Sequence, residues 1–227
     1  MEFKPYKSIG FAEQLAIEEV VRSGVLSGFI SGPAENRNAH PNGGPKVREL
    51  EELWADKYGV KHAISFNSAT SGLLAACVAL DVGPRRDLLC PAWTMSASAA
   101  VGKFLGAEVV FSDIDPETYC IDPEDCLTLR PVLHVVGDVA MAVHLFGHPA
   151  PVRRLKEYGV SVIEDCAQAP WAYDNGKIAG TIGDIGVYSL NRHKHIHCGE
   201  GGVAVTNDDE LADMMRAVRN HGLIPSV

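Results

Sequence analysis

Apolar positions repeat along this chain at two periods. In residues 9–24 they fall at helical spacing: Phe11, Leu15, Ala16 and Val20 share a face, Ile17 and Val21 sit at its edge, and the pattern stops at Gly24. Glycine ends helices readily because it enters the left-handed region without a Cβ clash. Ser27–Pro45 is rich in Gly, Pro and Asn and reads as a loop. Lys46–Tyr58 places Val47, Leu50, Leu53 and Trp54 on one face, a second amphipathic helix ending at Gly59.

From Ala63 onward the pattern changes to short apolar runs alternating with helical segments. The runs Ala63–Phe66, Asp87–Cys90, Glu108–Asp113, Met141–Gly147, Val160–Asp165, Gly186–Leu190 and Val203–Val205 read as strands. Between them fall a helix opened by Asn67–Gly72 and running to Leu80, and a small-residue helix after Trp93 that continues through Leu105. A short helix follows at Leu155–Tyr158, and Asn207-Asp208 caps a last helix, Asp209–Arg219. Asp113–Pro116 is a strand exit and turn, and Gly176–Gly183 a glycine-rich connection. Strands alternating with helices argue for an α/β fold on a mainly parallel sheet.

Composition narrows the function classes. With 227 residues the chain can bury a substantial core. At 46% hydrophobic and 22% charged it has the make-up of an ordinary globular protein. A formal charge of −9 argues against sequence-independent nucleic-acid binding, which needs a clustered basic face. No apolar run is long enough to span a bilayer and no N-terminal signal pattern is visible, so no membrane role is expected. The six cysteines form no CxxC pair and sit mostly in apolar segments, which fits reduced core thiols and a cytoplasmic location.

Three stretches carry candidate chemistry. In Gly186–Gly202 (GVYSLNRHKHIHCGEGG), Lys194 lies between apolar runs and is followed by glycine-rich backbone. A lysine on a loop is ordinarily a solvated charge. Partial burial would disfavour its charged form and free the amine as a nucleophile or Schiff-base former. In the same stretch His193, His195 and His197 alternate, so on an extended segment all three would face one side as metal ligands, with Lys194 incidental. The Ser/Thr-rich turn at Asn67–Gly72 offers hydroxyls, free N–H groups and a helix dipole to an anion, or is a plain N-cap. Val160–Asp165 ends in two carboxylates at a strand terminus, the place where open α/β sheets bind ligands, or simply in a solvated turn.

Ser189-x4-Lys194-x4-Gly199-Glu200-Gly201-Gly202 resembles the cofactor-lysine motif of the DegT/DnrJ/StrS family of sugar-nucleotide aminotransferases, and the resemblance extends from about Gly43 to Gly222. GGPKVRELEE, the SAT turn, MAVHLFG and IEDCAQA are similar to family segments as well. The resemblance implies a fold-type-I large domain with helices on both faces of the sheet and a pyridoxal 5′-phosphate (PLP) cofactor. It implies that Lys194 forms the Schiff base with PLP and then shuttles the substrate proton. Asp165 would partner the pyridine nitrogen and Gln168 the 3-oxygen; Thr70, Ser71 and Ser189 would hold the phosphate, and Trp93 would stack on the ring. It further implies glutamate or glutamine as amino donor, a nucleotide-linked keto sugar as acceptor, and a homodimer.

On this reading residues 1–42 are an N-terminal helix and loop, and 43–227 the PLP-binding domain. RNHG, at Arg219–Gly222, falls where family members continue into a smaller C-terminal domain, which the resemblance implies is missing here. Pro131–Met141 fits the family pattern poorly, the helix before Val160 reads as short, and Gly83-Pro84-Arg85-Arg86 replaces a Gly-Asp-type turn. An alternative expectation is therefore a catalytically inactive domain that binds PLP or a partner without turnover.

Overall fold

A computed structural model of the chain describes residues 9–29, 40–129 and 139–222. Most of Pro131–Met141 and the centre of the Ser27–Pro45 loop lie outside the described residues. Residues 1–48 and 49–227 form two compact units. In the first, helix α1 (Phe11–Ser23) ends as the sequence suggests, with Gly24 at φ 68° donating its N–H to the Val21 carbonyl. Helix α2 (Pro45–Tyr58) carries the chain into the second unit.

The second unit is an α/β sheet of seven strands: β1 (His62–Phe66), β2 (Leu88–Pro91), β3 (Val109–Ser112), β4 (Val139–Val143), β5 (Ser161–Asp165), β8 (Ile185–Ser189) and β9 (Gly202–Thr206), in the order β1-β9-β8-β5-β4-β2-β3. Four pairings are parallel, and β9 alone runs against its neighbours β8 and β1. Helices α3 (Ala69–Ala79), α4 (Ser96–Phe104), α5 (Pro123–Leu129) and α6 (Val152–Glu157) connect the strands from β1 to β5, as the crossovers between parallel strands require, and α7 (Asp209–Arg219) follows β9. The central strands are buried along their whole length, which is why they read as continuous apolar runs rather than as alternating ones.

Four details depart from the sequence expectations. The strand expected over Met141–Gly147 ends at Val143; His144 donates its backbone N–H to the Asp165 carbonyl, and a single 3-10 turn, Leu145–Gly147, follows with Phe146 at φ 54°. Within Gly176–Gly183 the chain begins by closing a hairpin, β6 (Tyr173–Asp174) against β7 (Lys177–Ile178). Its turn residues Asn175 and Gly176 both have positive φ, as a two-residue hairpin loop demands. Helix α5 had no expectation. The buried face of α2 is Glu51, Trp54 and Tyr58, while Leu50 and Leu53 are exposed. The rotation has two causes: Trp54 and Tyr58 stack at 5.1 Å and pack on Tyr188, and Glu51 accepts hydrogen bonds from the Ser65 backbone and hydroxyl and pairs with Arg219.

A buried carboxylate fixes the middle of the sheet. Glu164 is inaccessible to water, and its two oxygens accept from Gly180 N (2.7 Å), Ile182 N (2.7 Å), Gly183 N (2.6 Å) and the His144 ring (3.0 Å). Because His144 Nδ1 accepts the Ala150 N–H at 2.8 Å, the imidazole proton sits on Nε2 and points at Glu164. Replacing Glu164 by Ala leaves four donors without their acceptor, two of them fully buried. It should cost about 3–5 kcal/mol of stability, read as a lowered midpoint in urea unfolding; a change within about 0.5 kcal/mol would contradict this account of the core.

Candidate active site

The topology gathers one set of strand ends at a single edge. β5 and β8 end there in Asp165 and Ser189, β1 leads into the N-terminus of α3, and antiparallel β9 begins there at Gly202. Gly202 pairs with both Phe66 and Ser189. A Cβ on it would stand 2.5 Å from the Ala69 nitrogen, so only glycine lets the start of α3 settle onto the strand.

A cavity of about 140 Å³ opens at this edge, and Thr70, Asp165, Gln168, Ser189 and Lys194 all line it. Five of the seven residues expected at a cofactor site therefore meet in one place. Ser71 and Trp93 are not in the lining. The Ser71 hydroxyl lies 3.0 Å from that of Ser68, the helix N-cap, which also accepts the Ser71 N–H and itself lines the cavity. Trp93 is 58% exposed and its ring is tilted against Tyr119, which in turn meets Phe146 edge-on.

Each wall has a chemical character. At the α3 end, the Ala69 and Thr70 N–H groups stand in the first turn, where an α-helix leaves donors free, and the dipole adds positive potential. Asp165 is 6% exposed; its oxygens accept from Ser98 Oγ (2.8 Å) and Ala167 N (3.1 Å). Gln168 takes the Phe146 N–H on its amide oxygen at 2.8 Å, which leaves its NH2 as the group free to donate to a ligand.

Lys194 is half-buried on a loop closed at its neck. Leu190 N donates to Gly201 O (2.8 Å), Arg192 N to Gly199 O (2.7 Å) and Lys194 N to Asn191 O (2.8 Å). The Asn191 amide also donates to both oxygens of Glu200, at 2.8 and 2.9 Å. The loop thus presents the amine from a fixed base.

Sequence reasoning missed Ser98, Asn191 and Glu200 in this lining. Thr94 precedes the helix that carries Ser98, so no helical spacing in the sequence pairs their hydroxyls, which stand 3.3 Å apart. The histidine alternation forms no metal cluster among the described residues. The group that does, His144, Glu164 and Cys166, is buried and already saturated by the hydrogen bonds of the core. Burial also pushes the Cys90 and Cys77 thiols up to about 12, so these core cysteines stay protonated at neutral pH.

The sequence profile of the DegT/DnrJ/EryC1/StrS aminotransferase family matches residues 34–226. The chain belongs to this family. Among aminotransferase relatives, the GDP-perosamine synthase of Caulobacter vibrioides is 37% identical over 79% of this chain and 49% of its own length. The L-glutamine:2-deoxy-scyllo-inosose aminotransferase of Streptomyces kanamyceticus is 35% identical over 91% of this chain and 47% of its own. The solved aminotransferase from Psychrobacter cryohalolentis superposes with a TM-score of 0.79 at 30% identity, covering 95% of this chain and 52% of that one. The chain thus spans about half the length of the relatives it matches, and its fold is that of the large domain of PLP-dependent fold-type-I enzymes.

Proposed function

We propose that this chain holds pyridoxal 5′-phosphate in the cavity at the carboxyl edge of its sheet, as the cofactor-binding part of an enzyme that moves an amino group from glutamate or glutamine to a keto sugar carried on a nucleotide. The observation that carries the reading is the meeting of an amine, a carboxylate, an amide NH2 and a helix N-terminus around one cavity. Those four groups complement an aldehyde, a ring nitrogen, a phenolic oxygen and a phosphate.

When bound, PLP supplies a carbonyl for imine formation and a protonated ring that accepts electrons. The residues of this chain do the rest. Thr70, Ser189 and the first N–H groups of α3 bind the phosphate end, where the helix dipole favours a dianion. Asp165 would place its carboxylate against the ring nitrogen, which favours the protonated ring. The Gln168 NH2 would donate to the ring oxygen. Lys194 would hold the cofactor through its amine and would serve as the base that takes and returns the substrate proton. The Ser71 hydroxyl supports this wall through Ser68, and Trp93, outside the cavity lining, is the proposed ring-stacking residue.

The acceptor and donor assignments draw on the relatives, one of which is named for a nucleotide sugar product and the other for L-glutamine. A second copy of the chain is the proposed partner. Among the described residues no helix is long and apolar enough to cross a membrane, and the six cysteines are free, five of them buried, in keeping with a cytoplasmic protein.

The decisive experiment is Lys194→Ala. The wild-type chain incubated with PLP should show the visible Schiff-base band and keep the cofactor after borohydride reduction; the variant should do neither while its melting temperature stays within a few degrees. A reducible adduct surviving in the variant would remove Lys194 from the role. With the loaded wild type, L-glutamate or L-glutamine should bleach the visible band, and failure of both would withdraw the donor assignment. Light scattering should return about twice the 24.4 kDa chain mass; a persistent monomer would refute the homodimer.

A further inference from the structure

Ser98, in the first turn of α4, is completely buried and places its hydroxyl oxygen 2.8 Å from Asp165 Oδ2, across 67 residues of sequence. A carboxylate can only accept, so Ser98 donates. Its oxygen is then free to accept, and the Thr94 hydroxyl stands 3.3 Å away as the donor. The other carboxylate oxygen, Oδ1, accepts the Ala167 N–H at 3.1 Å. Asp165 is therefore gripped at both oxygens, once by its own turn and once by a different element.

The two grips are not equivalent. The terminal torsion of an aspartate is broad and roughly two-fold, so a single hydrogen bond leaves the carboxylate plane free to swing about it. The second bond, on the opposite oxygen, removes that freedom. Ser98 and Asp165 both border the cavity, and α4 is the only helix that brings a hydroxyl to Asp165 among the described residues.

We infer that Ser98 is a positioning residue: with Thr94 behind it, its hydroxyl locks the plane of the Asp165 carboxylate so that one oxygen faces the ring nitrogen of the cofactor. The inference rests on the reading of the cavity as a PLP site. Ser98 acts through Asp165, and its contribution exists only when the ligand carries a nitrogen for that carboxylate to meet.

The test compares two ligands on the purified chain, PLP and its 1-deaza analogue, in which a C–H replaces the ring nitrogen; the readout is the dissociation constant from absorbance titration. Ser98→Ala should weaken PLP at least about tenfold, the scale of a hydrogen bond to a charged group, and leave the affinity for the analogue unchanged. In an Asp165→Asn background the same substitution should change neither ligand. Equal weakening of both ligands would show that Ser98 props the wall or touches the cofactor elsewhere, and unchanged PLP affinity would show that the carboxylate holds its plane alone; either overturns the assignment. A wild-type chain that binds neither ligand would instead refute the cofactor reading, and the assignment with it. Should Ser98→Ala not fold, by circular dichroism, Thr94→Ala carries the same comparison with an expected loss of about threefold for PLP only.

Discussion

A charge sealed from water is the constraint on which the rest of this sheet depends. Glu164 cannot be hydrated, and burying a carboxylate costs several kcal/mol unless every lone pair finds a donor. Its four donors come from His144 and from three backbone N–H groups of Gly180–Gly183, so satisfying it fixes two connections at once. The approach is close enough that a Cβ on Gly183 would lie 2.8 Å from the Val162 carbonyl, and one on Gly186 2.1 Å from Gly180 O. Those glycines are demanded by contact, since side chains there would push the connection off the strand.

The strand that carries Glu164 also carries Asp165, and strand pleating sends the two carboxylates to opposite faces. One is spent on holding the architecture and the other is presented to the cavity. The arrangement separates rigidity from chemistry within two consecutive residues. A similar division holds on the lysine loop, where Asn191 and Glu200 close the neck and leave the Lys194 side chain at the cavity wall.

Much of this was legible from the sequence, because the informative signals were local. Apolar runs punctuated by turn residues marked the strands of the main sheet, with β4 set too far along the chain, and the Ser189–Gly202 and Ile163–Ala169 stretches carried their site residues within one loop or turn each. What escaped was non-local or brief. Ser98 reads as one more small residue in a small-residue helix until the fold brings it to Asp165. The Glu51–Arg219 pair, 168 residues apart, together with the packing of Trp54 and Tyr58 on Tyr188, turns α2 so that Leu50 and Leu53 face outward. Strands of two residues, as in β6 and β7, are too short to show any period, and only Asn175-Gly176 betrayed their turn.

The placement of β9 bears on how the chain comes together in time. β1 is made early and among the described residues has a single strand neighbour, β9, so His62 waits for Thr206 and Phe66 for Gly202. Such a pairing closes a loop of most of the unit before it returns any energy, which slows folding. On the ribosome, β1 and the start of α3 would remain an unpaired apolar edge until β9 had emerged. The α3 end of the cavity is thus completed late, and a nascent chain stalled before Gly202 would carry its strand edge uncovered, an invitation to chaperones or to aggregation.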